Sequence, residues 1–208
     1  MANEYITAAA LKATLSLTGE TYADADITAA IAAASKAIER ACGRRFWKDA
    51  ADVTRYYERV DDLMVVIDDL AAVTSVKTDP DGLGTYSETW TQNSDYVFGP
   101  ENAAVDSVPW TAIYRITYPA ADYLLPKGPR RIQVIGKFGW PAIPDQIPVA
   151  TSKLAARLMK AMREAPLGIA GFGMDGAAIR IAKTDPDIGF LLEGLKRSPL
   201  GANGMGIA

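Results

Sequence analysis

Histidine does not occur in this chain, and cysteine occurs once, at Cys42. Without histidine there is no Ser-His-Asp or Cys-His catalytic arrangement and no imidazole metal ligand. A single cysteine forms no disulfide within the chain, which suits a reducing compartment. On the apolar face of a helix, Cys42 reads as a small core residue. No run of about 18 apolar residues is present, so no membrane span is expected. The start, Met1-Ala-Asn-Glu-Tyr5, has no basic region followed by an apolar run, so no signal peptide is expected. The glycine-rich segment at 166–176 does not end in Gly-Lys-Ser/Thr, so it is not a phosphate-binding loop. Any catalysis would have to rest on carboxylates, lysine or tyrosine. The chain reads as a non-enzyme with no metal and no cofactor.

What is present is ordinary for a folded protein: 208 residues, 49% hydrophobic and 23% charged. That is enough for one large domain or two small ones. The net charge of −3 is unevenly spread. Residues 1–126 carry 10 basic and 19 acidic side chains, and residues 127–208 carry 12 basic and 6 acidic. Such a division either reflects solvation or supplies an acidic and a basic surface that can meet between subunits.

The strongest local signal is a helix over 26–42. Ile27, Ile31, Ala34, Ile38 and Ala41 recur at steps of three and four and share a face. Asp24 or Asp26 can cap its start, and Gly43 can take the left-handed position at its end. A shorter helix over 8–15, capped by Thr7 and carrying Leu11 and Leu15, precedes it as an αα-hairpin. Arg44-Arg45-Phe46-Trp47 follows at once, two charges and then two large rings.

The period then changes to two. Strands are expected at 53–59, 63–67, 73–78, 86–91, 96–100, 113–118 and 131–138, rich in β-branched and aromatic residues. The turn at 79–84, Asp-Pro-Asp-Gly-Leu-Gly, joins two of them as a hairpin. Short strands with polar turns suggest a small antiparallel sandwich or barrel. Pro141, Pro144 and Pro148 close the β region, and Pro148 can open a helix running to about 164. Its apolar face is Ile147, Ala150, Leu154, Leu158 and Ala161. Lys153, Arg157, Lys160 and Arg163 form a basic stripe beside it, either solvated or facing an acidic neighbour or DNA phosphate. Glycines spaced through 166–176 suggest a mobile or folded-over loop. A last helix from about 185 carries Ile188, Leu191, Leu192 and Leu195, with Lys196 and Arg197 suited to its C-terminal dipole. Residues 198–208 are expected to fray.

The expected fold is therefore α+β: a helical bundle, made of the N-terminal αα-hairpin and the C-terminal helices, with a β-rich antiparallel insert. The bundle takes 1–48 and 141–197, the insert 53–138, and 198–208 is a flexible tail. Paired carboxylates at Asp61-Asp62, Asp68-Asp69 and Asp79/Asp81 are candidate acid–base groups. Neighbours in an extended stretch point to opposite faces, so these read better as turn acids. Phe46, Trp47, Trp90, Trp110 and Trp140 are core residues or interface anchors. Exposed aromatics such as Tyr56, Tyr86 and Trp90 leave a second reading open, a carbohydrate- or protein-binding β module on a helical scaffold. The acidic insert argues against DNA binding.

The order of these pieces resembles the head–tail connector, or adaptor, family of tailed double-stranded DNA bacteriophages. The matching blocks are Tyr5-Ile-Thr with Leu11-Lys and the helix ending Ile38-Glu-Arg-Ala-Cys-Gly-Arg-Arg-Phe-Trp47; Thr54-Arg-Tyr-Tyr57; and Val134-Ile-Gly-Lys-Phe-Gly-Trp-Pro141, with Ile143-Pro, Ile147-Pro and the helix carrying Ala150 and Leu154. A fourth block is 180–183 with Thr184-Asp-Pro-Asp187 and the last helix. The resemblance implies a structural role in the virion, at the head–tail junction, after assembly in the host cytoplasm. It implies a ring of about twelve copies under the portal, with head-to-tail contacts between copies. The ring would extend the DNA channel, with DNA passing without sequence-specific binding, and would dock head-closure or tail-completion proteins. It offers Arg44, Arg45, Trp47, Ile188, Leu191, Leu192 and Leu195 as portal or subunit contacts, with 166–176 as a hinge. The β-rich insert departs from the family's minimal helical form.

Overall fold

The computed structural model describes residues 4–16, 21–116, 124–164, 169–172, 178–180 and 186–197. The chain divides into two compact units, Met1–Arg44 with Ile143–Lys196, and Arg45–Ala142 with Arg197–Ala208.

The first unit is helical. Helix α1 (Ala8–Ser16) starts where the Thr7 hydroxyl accepts the Ala10 N–H at 3.2 Å, and it buries Leu11 and Leu15. Helix α2 (Asp24–Cys42) begins two residues earlier than the sequence suggests. Its N-cap is Ala23, which offers no side chain, so neither Asp24 nor Asp26 caps it. Both sit in the first turn, where a carboxylate suits the positive end of the helix dipole. Gly43, at φ +65°, ends the helix, and the Arg44 N–H reaches back to the Glu39 carbonyl at 3.2 Å. The buried face is Ile27, Ala30, Ile31, Ala34, Ser35, Ile38 and Cys42. Ala41 is exposed, one position off the expected stripe.

Helix α3 (Gln146–Glu164) packs against α2 and α1. Ile147, Ala150, Thr151, Ala155 and Met159 are buried, while Leu154, Leu158 and Ala161 are half-buried flanks. The contact face is therefore turned from the expected one. Thr151 can lie in it because its hydroxyl donates to the Ile147 carbonyl at 2.7 Å. Leu11, Ile27, Ile31, Ala34 and Met159 share one cluster. Each large aliphatic side chain buried there contributes roughly 1.5–3 kcal/mol. Tyr5 closes one side of α2, with its phenol donating to Glu39 at 2.8 Å.

The described residues of the glycine-rich stretch lie in an antiparallel ladder, which fits the folded-over reading. Strand β7 (Ile169–Phe172) pairs antiparallel with β8 (Ala178–Arg180). Residues 166–168 and 173–176 of the expected hinge lie outside the described residues, as does the expected tail, 198–208. Helix α4 (Pro186–Leu192) lies against α3.

The second unit is a sheet of β1 (Val53–Tyr57), β2 (Met64–Thr78), β3 (Glu88–Trp90), β4 (Tyr96–Gly99), β5 (Trp110–Arg115) and β6 (Ile132–Phe138). The order is β1-β6-β2-β5-β4, with β3 also paired to β2, and every ladder is antiparallel. This corrects the sandwich or barrel expectation. Among the described residues there is one sheet of six strands, and its end strands β1 and β4 do not pair with each other.

The expected strands 63–67 and 73–78 are one strand of 15 residues. The carboxylates Asp68 and Asp69 break the apolar pattern in the sequence, yet the backbone runs through them. Register shifts between Val66 and Leu70 and again between Leu70 and Ser75 bend β2. Its first half pairs with β5 and its second with β6 and β3. Val65, Ile67, Leu70 and Val76 from both halves meet Phe98, Ile113, Val134 and Phe138 in a single core. Strand β5 starts three residues before its expected position, and residues 117–118 of the expected strand lie outside the described residues.

The hairpin turn at 79–84 forms as expected. Asp79 is buried, and its carboxylate accepts the N–H groups of Gly82 at 3.1 Å and Gly84 at 3.0 Å. Burial works against its charged form. The Gly84 N–H, a hydrogen bond with Asp81, the Gly82 N–H and the Arg131 charge outweigh it and hold the carboxyl below its usual range.

The ends of the β unit lie further out than its strands. Phe46 packs against Trp140 in a tilted pair, with ring centroids 5.3 Å apart. The Asp49 N–H donates to the Phe138 carbonyl at 2.8 Å, and the Phe138 N–H returns to the Asp49 carboxylate at 3.2 Å. Gly139, at φ +113°, lies so close that a β-carbon there would strike the Trp47 carbonyl. Residues 45–48 and 141–142 therefore belong with the sheet and not with the helices.

Candidate functional site

The run after α2 divides by role. Arg44 is half-buried at the end of the helical unit. Arg45 forms an ion pair with Asp49, and its guanidinium lies 3.9 Å from the centroid of the Trp47 ring. Phe46 is fully buried, whereas Trp47 is half-buried. Arg45 and Trp47 thus form a small cationic–aromatic unit locked onto Asp49.

In α4, Ile188 and Leu192 are buried within the helical unit and Leu191 is half-buried; Leu195, expected on the same helix, lies in the turn after it and is half-buried. The residue most open to a partner is Phe190, 77% exposed. Reading the apolar stripe missed it, because Phe190 lies off that stripe. Of the basic stripe on α3, Lys153 pairs with Asp187 of α4 at 3.4 Å. Arg157 and Lys160 are engaged as well, and the Arg163 side chain lies outside those described. The stripe is therefore not a row of free cations awaiting phosphate.

The carboxylates do not converge on a catalytic pair. Asp61 accepts the Leu63 and Met64 N–H groups, each at 2.8 Å, as a turn acid does. Asp62 pairs with Arg59 at 2.6 Å. Asp68 and Asp69 are not turn acids, since both lie within β2. Asp69 is buried, and its carbonyl accepts the Gly139 N–H at 2.7 Å. Asp68 is the centre of a network that the sequence did not reveal. It accepts from Arg55 at 2.6 Å, from Arg197 at 3.1 Å and from the Tyr57 hydroxyl at 3.1 Å. Arg55 also lies 4.2 Å over the Phe138 ring. Burial raises the Asp68 pKa, but the hydrogen bonds and charges of Arg55 and Arg197 exceed that and hold it low. Tyr57 is pushed well above the ordinary phenol value, first by burial and then by the Asp68 charge. Arg55 and Tyr57, two apart in β1, reach it from one face of that strand.

Trp90 is in the core, with Arg115 stacked 4.2 Å from its ring centroid, so it offers no face to a sugar. Trp110 stacks on Phe98 at 4.7 Å. Tyr56 and Tyr86 pair at 5.3 Å on the surface, with Arg130 4.4 Å from the Tyr56 ring centroid. Burial raises the Cys42 thiol pKa, against the pull of Arg44 and Lys196, which keeps it a protonated core residue. A pocket lined by Lys12, Leu15, Ser16, Thr21, Tyr22, Asp24 and Ile27 has its two charged residues, Lys12 and Asp24, paired at 2.6 Å. No group of three or more Cys, Asp or Glu among the described residues could hold a metal ion, and no helix among them is long and apolar enough to cross a membrane.

No protein-family description matches the chain, and no curated protein matches it. Among solved structures, the chain is similar to one in the neck of an empty GTA particle computed with C6 symmetry. The two are 19% identical with a TM-score of 0.48, over 88% of this chain and 98% of that one.

Proposed function

We propose that this chain is a structural neck subunit of a tailed, phage-like particle. It acts as an adaptor that assembles as a ring under the portal, extends the DNA channel and offers a docking face to head-closure or tail-completion proteins. The role is mechanical rather than catalytic, and it needs neither metal nor cofactor.

One observation carries this reading. Parts of three sequence blocks that resemble the connector family, far apart along the chain, meet within the sheet unit. Phe46 from the first block packs against Trp140 from the third. Thr54 and Arg55 of the second pair with Ile135 and Val134 of the third.

The test is a mass measurement of the purified protein, alone and mixed with the portal of the same particle. A ring in either sample is the expected result. A single-chain mass in both overturns the proposal.

A further inference from the structure

The sheet carries two unlike surfaces, one at each end of its strand order. At the β1 end, Tyr56 is 39% exposed and pairs with Tyr86, with the Arg130 guanidinium over the Tyr56 ring. Tyr86 at φ +45° and Arg130 at φ +56° are both in the left-handed region, which bulky side chains rarely adopt. The Tyr86 hydroxyl donates to the Arg130 carbonyl at 2.7 Å and holds the two strained residues together. Such strain persists where the surroundings enforce it, and it collects at sites of function. The segment 126–131, Pro-Lys-Gly-Pro-Arg-Arg, has no acidic residue, and Lys127 is exposed.

At the other end, the loop between β4 and β5 is acidic with an apolar tip. Glu101 and Asp106 are exposed, no basic residue lies in 100–109, and Val105 is 84% exposed. This loop is built rather than loose. The N–H groups of Val105 and Asp106 both reach the Asn102 carbonyl, at 2.9 and 3.0 Å. The Val108 N–H reaches Ala103 at 3.0 Å, and Ala103 itself is fully buried. Val105 is the most exposed large aliphatic among the described residues, and such a side chain held on a fixed loop between Glu101 and Asp106 gains from being covered.

We infer that these two surfaces meet between copies of this chain: the loop around Val105 of one copy seats on the Tyr56–Tyr86–Arg130 platform of the next. Val105 lies on the tyrosine rings, and Glu101 and Asp106 face Arg130 and Lys127. Glu58, exposed just past the end of β1, adds a like charge near this platform that the carboxylates would avoid. The surfaces differ, so the contact is head-to-tail and propagates into a ring or filament. This inference rests on the ring reading above and names its contact.

Charge reversal tests it. With the wild-type chain assembled alone or on portal, Arg130→Glu and Asp106→Lys are each expected to weaken assembly by about tenfold or more, as close charge pairs at interfaces do. The chain carrying both is expected to recover it, because the pair is restored with its signs exchanged. A chain with Tyr56→Cys and Val105→Cys should form interchain disulfides in the assembled ring, while Cys42 stays buried. If wild type assembles but neither single variant weakens it, or no crosslink forms in the ring, the inference is overturned and the ring reading stands. If Arg130→Glu keeps the ring but loses portal, the platform faces portal and the inference is again overturned. If wild type assembles under no condition, the ring reading fails and takes the inference with it.

Discussion

Arg197 donates to the Asp68 carboxylate at 3.1 Å and, through its other amine nitrogen, to the Ile67 carbonyl at 2.9 Å. A residue that reads in sequence as the charged end of a helix is thus bonded to the longest strand of the sheet. Strand β6 does not pair with this half of β2, so the guanidinium meets a backbone carbonyl that has no strand partner on that side. Asp68 is 40% exposed in its side chain, so solvent screens the pair. Asp68→Asn should cost about 1 kcal/mol at neutral pH. The folded-state pKa is lowered, so this stabilisation is present above the unfolded carboxyl value of about 3.9 and is lost as pH falls through the folded value. Thermal melts from pH 7 downward should show wild type and variant converging below about pH 4.

The helical unit should be intolerant of charge at Ile38, which is 1% exposed. Ile38→Asp would bury an unpaired carboxylate at a cost of several kcal/mol. Denaturant melts would register it, and an unchanged midpoint would refute the assignment of that face to the core.

Gly139→Ala should destabilise the sheet unit by about 2 kcal/mol or more. A β-carbon there meets the Trp47 carbonyl, and the φ of +113° suits only glycine. Gly189→Ala, where a β-carbon meets nothing, is the control and should leave the melting point unchanged or slightly raised. Equal losses in both would refute the close approach.

The parts that could be read from sequence were those governed by a single local rule. Helix α2 follows a strict 3.6 period with glycine at its end, and the turn at Asp79 follows from aspartate and glycine chemistry. Strand β2 was split in two because Asp68 and Asp69 look like a turn. They are tolerated inside a strand because Arg55 and Arg197 come to Asp68 from distant positions, and no local pattern encodes that. The face of α3 was misjudged for a related reason. Thr151 counts as polar in the sequence, but its hydroxyl is satisfied by its own helix. Phe190 escaped notice because stripe counting looks for the inward face.

Phe190, which stands outward on α4, gives a prediction on the proposed docking role. Phe190→Ser should leave the melting point nearly unchanged, since an exposed side chain contributes little to the fold. It should weaken attachment to portal, read by co-sedimentation. Unchanged attachment would remove α4 from the docking face.

Tyr96 offers a spectroscopic check on the sheet core. Burial, aided by the Asp95 charge, pushes its phenol up to about 12, and Tyr57 is raised further. Both should ionise late in an absorbance titration. An unfolded phenol ionises near pH 10, so sheet stability should decline from about pH 10 upward. Early ionisation of all nine tyrosines would contradict their burial.

The clasp at Phe46, Asp49, Phe138 and Trp140 changes what the sheet means to the rest of the chain. The polypeptide enters and leaves this unit at neighbouring points, held by a tilted ring contact and a reciprocal pair of hydrogen bonds between Asp49 and Phe138. Once the sheet has formed, the helices before and after it are tethered as though by a connector of only a few residues. The entropy of closing a long loop is then met within the sheet, and the bundle no longer bears it. The sheet can accordingly be treated as a cassette. Cut at the clasp and bridged by a short linker, the four helices should still find one another, and a different module with similarly spaced ends could be set in its place.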